Sequence, residues 1–107
     1  MINKIKNKII SATKQMTKMG FNIGSEGNIS CRYGHKIFIT PSAINNLELT
    51  KSNISEVDNE GKVKNGIKPS SEIFMHLYIY KKYPEIHAIV HCHSNWATIL
   101  SCFRTKI

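Results

Sequence analysis

An α/β fold built on a mainly antiparallel sheet is predicted by three features of this sequence. Residues 2–19 place Ile2, Ile5, Ile9, Ala12, Met16 and Met19 at alternating steps of three and four, the period of one helical face. Residues 29–66 break into short β-prone runs separated by turn signals, the pattern of hairpins. Residues 73–83 return to helical spacing, and Ala88-Ile89-Val90 then runs into His91-Cys92-His93, as a buried strand does when it ends at a polar site.

Each element has a local cause. Gly20 follows the last periodic residue and suits a left-handed cap, so the first helix stops there; its stripe is core and carries no chemistry. Gly24-Ser25-Glu26-Gly27-Asn28-Ile29-Ser30 reads as a loop whose glycines permit close backbone approach to a ligand and whose successive amides suit a phosphate. By itself that pattern means only a turn, since it is neither a Walker nor a dinucleotide fingerprint. Residues 29–33 and 36–40 make a hairpin about Gly34, with Ile37 and Ile39 alternating against Lys36 and Phe38. Thr40-Pro41-Ser42-Ala43 closes it, Thr50 caps a single helical turn, residues 54–57 return as a strand, and Asp58-Asn59-Glu60-Gly61 and Asn65-Gly66 turn the chain again. Pro69-Ser70-Ser71-Glu72 opens the second helix, with a serine as cap and Glu72 in the first turn, and Pro84 ends it. Residues 86–92 then form the central strand, and residues 95–103 begin a third helix with Trp96, Ile99, Leu100 and Phe103 on one side.

Composition narrows the function. A chain of 107 residues with 41% apolar content buries one modest core, which makes a single domain. No run reaches membrane-span length and residues 1–20 lack the plan of a signal peptide, so a cytoplasmic protein without membrane association is expected. Cys31, Cys92 and Cys102 are odd in number and show no C-x-x-C spacing, which argues against a disulfide framework and for reduced thiols. The net charge of +8 raises nucleic acid as a partner, but the lysines are scattered, arginine occurs only at Arg32 and Arg104, and no base-reading module is visible. Nucleic-acid binding is therefore not expected, and a basic surface weakly favours anionic substrates such as sugar phosphates.

The chemistry concentrates at the end of the last strand. Alternation puts His91 and His93 on one face and Cys92 on the other, so two imidazoles can grip one divalent ion, zinc above all, with a third ligand from elsewhere. Glu72 is the first candidate for that ligand. A His-x-His pair can equally be two ordinary hydrogen-bonded histidines, and Ser70 with Glu72 can be plain capping and dipole chemistry. His76 stands one turn after Glu72 and imitates a metal pair, but packing or hydrogen bonding within the helix is the expected role.

Gly27-Asn28-Ile29-Ser30 with Arg32, Ile39-Thr40-Pro41-Ser42, Pro69-Ser70-Ser71-Glu72, Tyr83-Pro84 and His91-Cys92-His93-Ser94 occur in one order along the chain. In these motifs and their spacing the sequence resembles the class II aldolase family of the fuculose-phosphate aldolase and ribulose-phosphate epimerase type, also called the aldolase/adducin head family, nearly end to end. The resemblance implies that His91 and His93 bind zinc, that Glu72 borders the metal and serves as acid and base, and that Asn28, Ser42, Ser70 and Ser71, with amides around Gly27, hold the substrate phosphate. It implies a three-layer α/β/α fold and a homotetramer. It also implies a third zinc histidine and a further catalytic residue downstream of Ile107, so the chain is expected to be a C-terminally truncated domain, residues 1–107. Ala43 departs from the pattern by standing where the family commonly has glycine.

The expected function is zinc-dependent, reversible aldol cleavage of a small phosphorylated sugar, impaired by truncation. Two alternatives belong to other classes: a non-catalytic assembly module like the adducin head, and an inactive product of a split or degraded gene. Retention of His91, His93 and Glu72 speaks against a retired site.

Overall fold

The computed structural model describes residues 1–21, 24–93 and 98–103, with His93 and residues 98–103 described by their backbone. Helix α1 (Ile2–Lys18) buries Ile5, Ile9 and Thr13, and Ile2, Ala12 and Met16 pack beside them. The Thr13 hydroxyl donates to the Ile9 carbonyl at 2.8 Å, which satisfies it inside an apolar contact. The helix ends where expected, with Gly20 at a φ of +82°. Met19 stands outside the last turn and is exposed, so the buried stripe closes at Met16.

Strands β1 (Asn28–Tyr33) and β2 (Lys36–Ile39) form the expected hairpin, with Tyr33 opposite Lys36 and Gly34 at a φ of +61° in the turn. Two single 3-10 turns, Asn46–Glu48 and Lys51–Asn53, lead to β3 (Ser55–Val57), which pairs with β2. The Thr50 amide donates to Asn53 Oδ1 at 2.9 Å, so the turn at Thr50 is capped as its sequence suggests. Helix α2 (Ile73–Lys82) precedes β4 (Ala88–His93), and β5 (Thr98–Phe103) follows. All pairings are antiparallel and the sheet order is β3-β2-β1-β4-β5.

Three expectations are corrected. The middle strand is β1, while β4 lies between β1 and β5. Residues 98–103 form a strand where a helix was expected, paired with β4 from Ala88↔Phe103 to His93↔Thr98; residue 95 and Trp96 lie outside the described residues. The cause is the ambiguity of short apolar runs: Thr98, Ile99 and Phe103 are good strand formers, and β4 offers a row of backbone groups to pair with. Finally, Glu72 occupies the N-cap position of α2 instead of its first turn, and Ser70 Oγ accepts its amide at 3.2 Å.

Two clusters of buried side chains follow the alternation of the strands. Ile29, Cys31 and Phe38 pack with Ile5 and Ile9 of α1. Ile37, Ile39, Val57 and Ile89 pack with Ile73, Ile79 and Tyr80 of α2. Because Phe38 joins the first group and its neighbours Ile37 and Ile39 the second, the two helices cover opposite faces of the sheet. Among the described residues no helix is long and apolar enough to cross a membrane.

Candidate functional site

The site is built where β1 begins and β4 ends. Gly27 takes a φ of +78°, a left-handed turn that aims the chain into β1. Asn46 shapes the loop before it: its backbone amide donates to the Gly24 carbonyl at 2.8 Å, and its side-chain Nδ2 donates to the Glu26 carbonyl at 2.8 Å. Asn46 is buried, and nothing in the sequence distinguishes it from an ordinary turn asparagine.

Thr40 then stitches three segments together. Its amide donates to the Ile29 carbonyl at 3.0 Å, and its Oγ1 accepts the Ile29 amide at 3.2 Å. The Ser70 amide donates to the Thr40 carbonyl at 2.9 Å, the Ser42 amide donates to the Lys68 carbonyl at 3.0 Å, and Pro41 bridges Pro69. The Gly27-Asn28, Thr40-Pro41-Ser42 and Pro69-Ser70 stretches therefore lie side by side. Ser70 and Asn28 are buried, Ser42 and Gly27 are half-buried, and Ser71 and Glu72 are exposed.

On the α2 side of the sheet, β1 presents a polar row where a core strand would be apolar. Asn28 pairs across to His91, and Ser30 pairs across to Ile89. Asn28 Nδ2 lies 3.4 Å from His91 Nδ1, and Asn28 Oδ1 is bonded to His76 Nε2. His76 Nδ1 lies 2.7 Å from Ser30 Oγ, which lies 2.7 Å from the Tyr80 hydroxyl. His76 is fully buried, and burial together with His91 pushes its pKa down to about 4, so its imidazole is neutral at physiological pH. Sequence spacing assigns His76 a role within its own helix; its partners are instead Ser30 and Asn28 on β1. The missed signal is a double alternation: polar Asn28, Ser30 and Arg32 against apolar Ile29 and Cys31, faced by His76 and Tyr80 at helical i, i+4 spacing.

The structure thus brings Asn28 and His91 into contact and places Glu72 one helical turn before His76. The His93 side chain lies outside the described residues, and among the described residues no three His, Cys, Asp or Glu side chains gather closely enough to hold a metal ion. Two donors of the kind zinc takes stand on β4: His91, a buried imidazole held through its Nδ1, and a second histidine two positions on in the same strand.

The sequence profile described as Class II Aldolase and Adducin N-terminal domain matches residues 7–107. The chain belongs to this family. It is 43% identical over 104 residues to a 5-methylthioribulose-1-phosphate/5-deoxyribulose-1-phosphate aldolase of Escherichia coli O45:K1, covering 97% of this chain and 49% of that protein. It is 38% identical over 105 residues to the L-fuculose phosphate aldolase of Escherichia coli K12, covering 98% of this chain and 49% of that protein. Among solved structures, an L-fuculose 1-phosphate aldolase superposes with a TM-score of 0.81 at 33% identity, over 87% of this chain and 45% of that one. The L-fuculose-1-phosphate aldolase of Thermus thermophilus superposes with a TM-score of 0.75 at 26% identity, over 87% of this chain and 48% of that one. This class II aldolase family chain spans about half the length of the curated relatives it matches.

Proposed function

We propose that residues 1–107 form the part of a class II aldolase-type lyase that anchors a small phosphorylated sugar and holds zinc for reversible aldol cleavage. In this reading the chain is one portion of a three-layer α/β/α domain that assembles as a homotetramer. The observation that carries the proposal is the contact of Asn28 with His91, which joins the phosphate-loop strand to the histidine strand at one end of the sheet. Substrates named for the relatives, fuculose phosphate and methylthioribulose phosphate, share a phosphorylated ketose with a hydroxyl beside its carbonyl.

Ser42, Ser70 and Ser71 would donate hydroxyl protons to the phosphate, and the left-handed Gly27 would let the amides around it approach the same oxygens. Anchoring that end orients the carbon skeleton over the strand ends, which converts much of the encounter into a unimolecular step. His91, His93 and Glu72 would hold the ion. Bound there, a divalent ion supplies a Lewis acid for the substrate's carbonyl and hydroxyl oxygens. Glu72, exposed at the N-cap of α2, would take the substrate hydroxyl proton and return a proton to carbon as general base and acid.

The test is retro-aldol turnover of L-fuculose 1-phosphate by the intact protein. Glu72→Gln should lower kcat by about 100-fold or more. Ser71→Ala should raise KM about 10-fold with kcat nearly unchanged, the mark of ground-state anchoring. Turnover that survives both Glu72→Gln and chelation would refute the proposal.

A second reading, an assembly module without catalysis, is favoured by one feature. Phe74 and Tyr78 are 71% and 64% exposed on the outer side of α2, beside a cleft of about 570 Å³ that contains none of the candidate site residues. Normal assembly combined with no turnover would support that reading.

A further inference from the structure

The buried polar row contains one more device. Five side chains from α2, β1 and β4 form a chain, Tyr80 to Ser30 to His76 to Asn28 to His91, with contacts of 2.7 Å, 2.7 Å, a close contact and 3.4 Å. Ser30 and His76 are fully buried, and Asn28, Tyr80 and His91 nearly so, which makes any mismatched link costly. Two proton orders satisfy the links between Ser30 and His91. In one, the Tyr80 hydroxyl donates to Ser30 Oγ, Ser30 donates to His76 Nδ1, His76 Nε2 donates to Asn28 Oδ1, and Asn28 Nδ2 donates to His91 Nδ1. His91 then carries its proton on Nε2. In the other, every link is reversed: His91 Nδ1 donates to the Asn28 oxygen, the turned amide donates to His76 Nε2, His76 Nδ1 donates to Ser30, and Ser30 donates to Tyr80. From Ser30 to His91 a mixed order would set two donors or two acceptors face to face in a buried place, whereas the Ser30 oxygen, with two lone pairs, can accept from His76 and Tyr80 together.

We propose that Tyr80, Ser30, His76 and Asn28 act as a proton-ordered relay that decides which nitrogen of His91 carries the proton, which makes His76 a positioning residue for His91. The proposal rests on the reading of His91 as a metal ligand for its use, though not for its existence. If His91 holds a cation through the nitrogen that does not face Asn28, that nitrogen must be unprotonated, and ligation would favour the order in which His91 donates from Nδ1. The tautomers of His91 and His76 then change together, and the change reaches the Ser30 hydroxyl. This differs from an ordinary hydrogen bond beside a ligand, because the partner is itself a two-sided amide whose direction is set by a second buried imidazole.

The test reads nitrogen signatures of the two rings. The intact protein, labelled with nitrogen-15, is examined by long-range proton–nitrogen correlation at one fixed pH of about 8, well above the ordinary imidazole range, with and without Zn2+. Ser30→Ala and Tyr80→Phe serve as the main variants, since each removes a single hydroxyl, and His76→Gln as the strong one; backbone amide spectra show that each retains the fold. Without metal, the relay predicts a changed tautomer population at His91 in Ser30→Ala, although Ser30 does not touch that ring. With metal, it predicts that His76 changes tautomer in step with His91, and that zinc affinity falls about 10-fold or more in His76→Gln. An unchanged His91 tautomer in all three folded variants would overturn the relay. If zinc leaves the His91 nitrogens of the unaltered protein unmoved, the metal reading fails, and the relay is still decided by the metal-free spectra.

Discussion

Ala43 has a φ of +60°, the sole positive value among the described residues other than glycine. An L-residue in that conformation is strained by about 1–2 kcal/mol, whereas glycine there would lose about 0.5–1 kcal/mol more backbone entropy on folding. Strain is the larger effect, so Ala43→Gly should stabilise the chain by about 0.5–1 kcal/mol, read as a higher urea midpoint at constant m-value. The sequence made this position conspicuous, because the resemblance implies glycine after Thr40-Pro41-Ser42. His76 was harder to read. Its ring is neutral because burial lowers its pKa from 6.5 to about 4, while the unfolded chain titrates at the ordinary value. The unfolded state therefore gains a proton first as pH falls. Stability is fully present above about pH 6.5 and declines towards pH 4, by up to roughly 3 kcal/mol. His76→Gln should flatten that part of the stability curve, and an equally steep decline in the variant would assign it to other groups. At Cys31, burial pushes the thiol up to about 11 against a smaller opposing pull from Lys8. It should resist alkylation until the chain unfolds.

At the scale of elements, helix α2 and its exit depend on one side chain. Arg32 Nη1 donates to the Tyr80 carbonyl at 2.7 Å, and Nη2 donates to the carbonyls of Pro84 at 2.8 Å and Ile86 at 2.5 Å, with the guanidinium 4.6 Å from the centre of the Tyr80 ring. A guanidinium supplies planar donors in several directions at once, and an ammonium cannot reproduce the fork or the stacking. Arg32→Lys should therefore cost about 2 kcal/mol, and a change under about 0.5 kcal/mol in unfolding free energy would show these contacts to be incidental. Helix boundaries and the β1–β2 hairpin were legible because glycines, prolines and hydroxyl caps act locally. Residues 98–103 were not legible, since their apolar spacing serves a helix and a strand alike and the pairing surface of β4 decides between them. The same limit hid His76, Ser30 and Tyr80: their partners lie some fifty positions away in sequence, and only the packing of α2 on β1 brings them together.

For the whole molecule, the two clusters on opposite faces explain why the candidate site lies at one end of the sheet instead of within either core. Each helix seals one face with aliphatic side chains, and polar groups accumulate where β1 begins and β4 ends. The motif residues were legible as a set because each lies on a loop or strand end with its own turn chemistry; their proximity came from Thr40, whose backbone and hydroxyl bond two segments at once. His91, His93 and Glu72 supply two nitrogen donors and a carboxylate, and Glu72 is exposed, so its side-chain entropy opposes ligation. The family resemblance implies a third histidine that residues 1–107 do not contain. Expressed alone, residues 1–107 should bind zinc about 10- to 100-fold more weakly than the same chain supplemented with a segment that supplies that histidine. Titration followed by cobalt absorption or calorimetry measures the difference. Equal affinity in the two preparations would show that the ligands on β4 and α2 suffice, whereas tighter binding accompanied by the appearance of retro-aldol turnover would show that catalysis requires a ligand set shared between two segments.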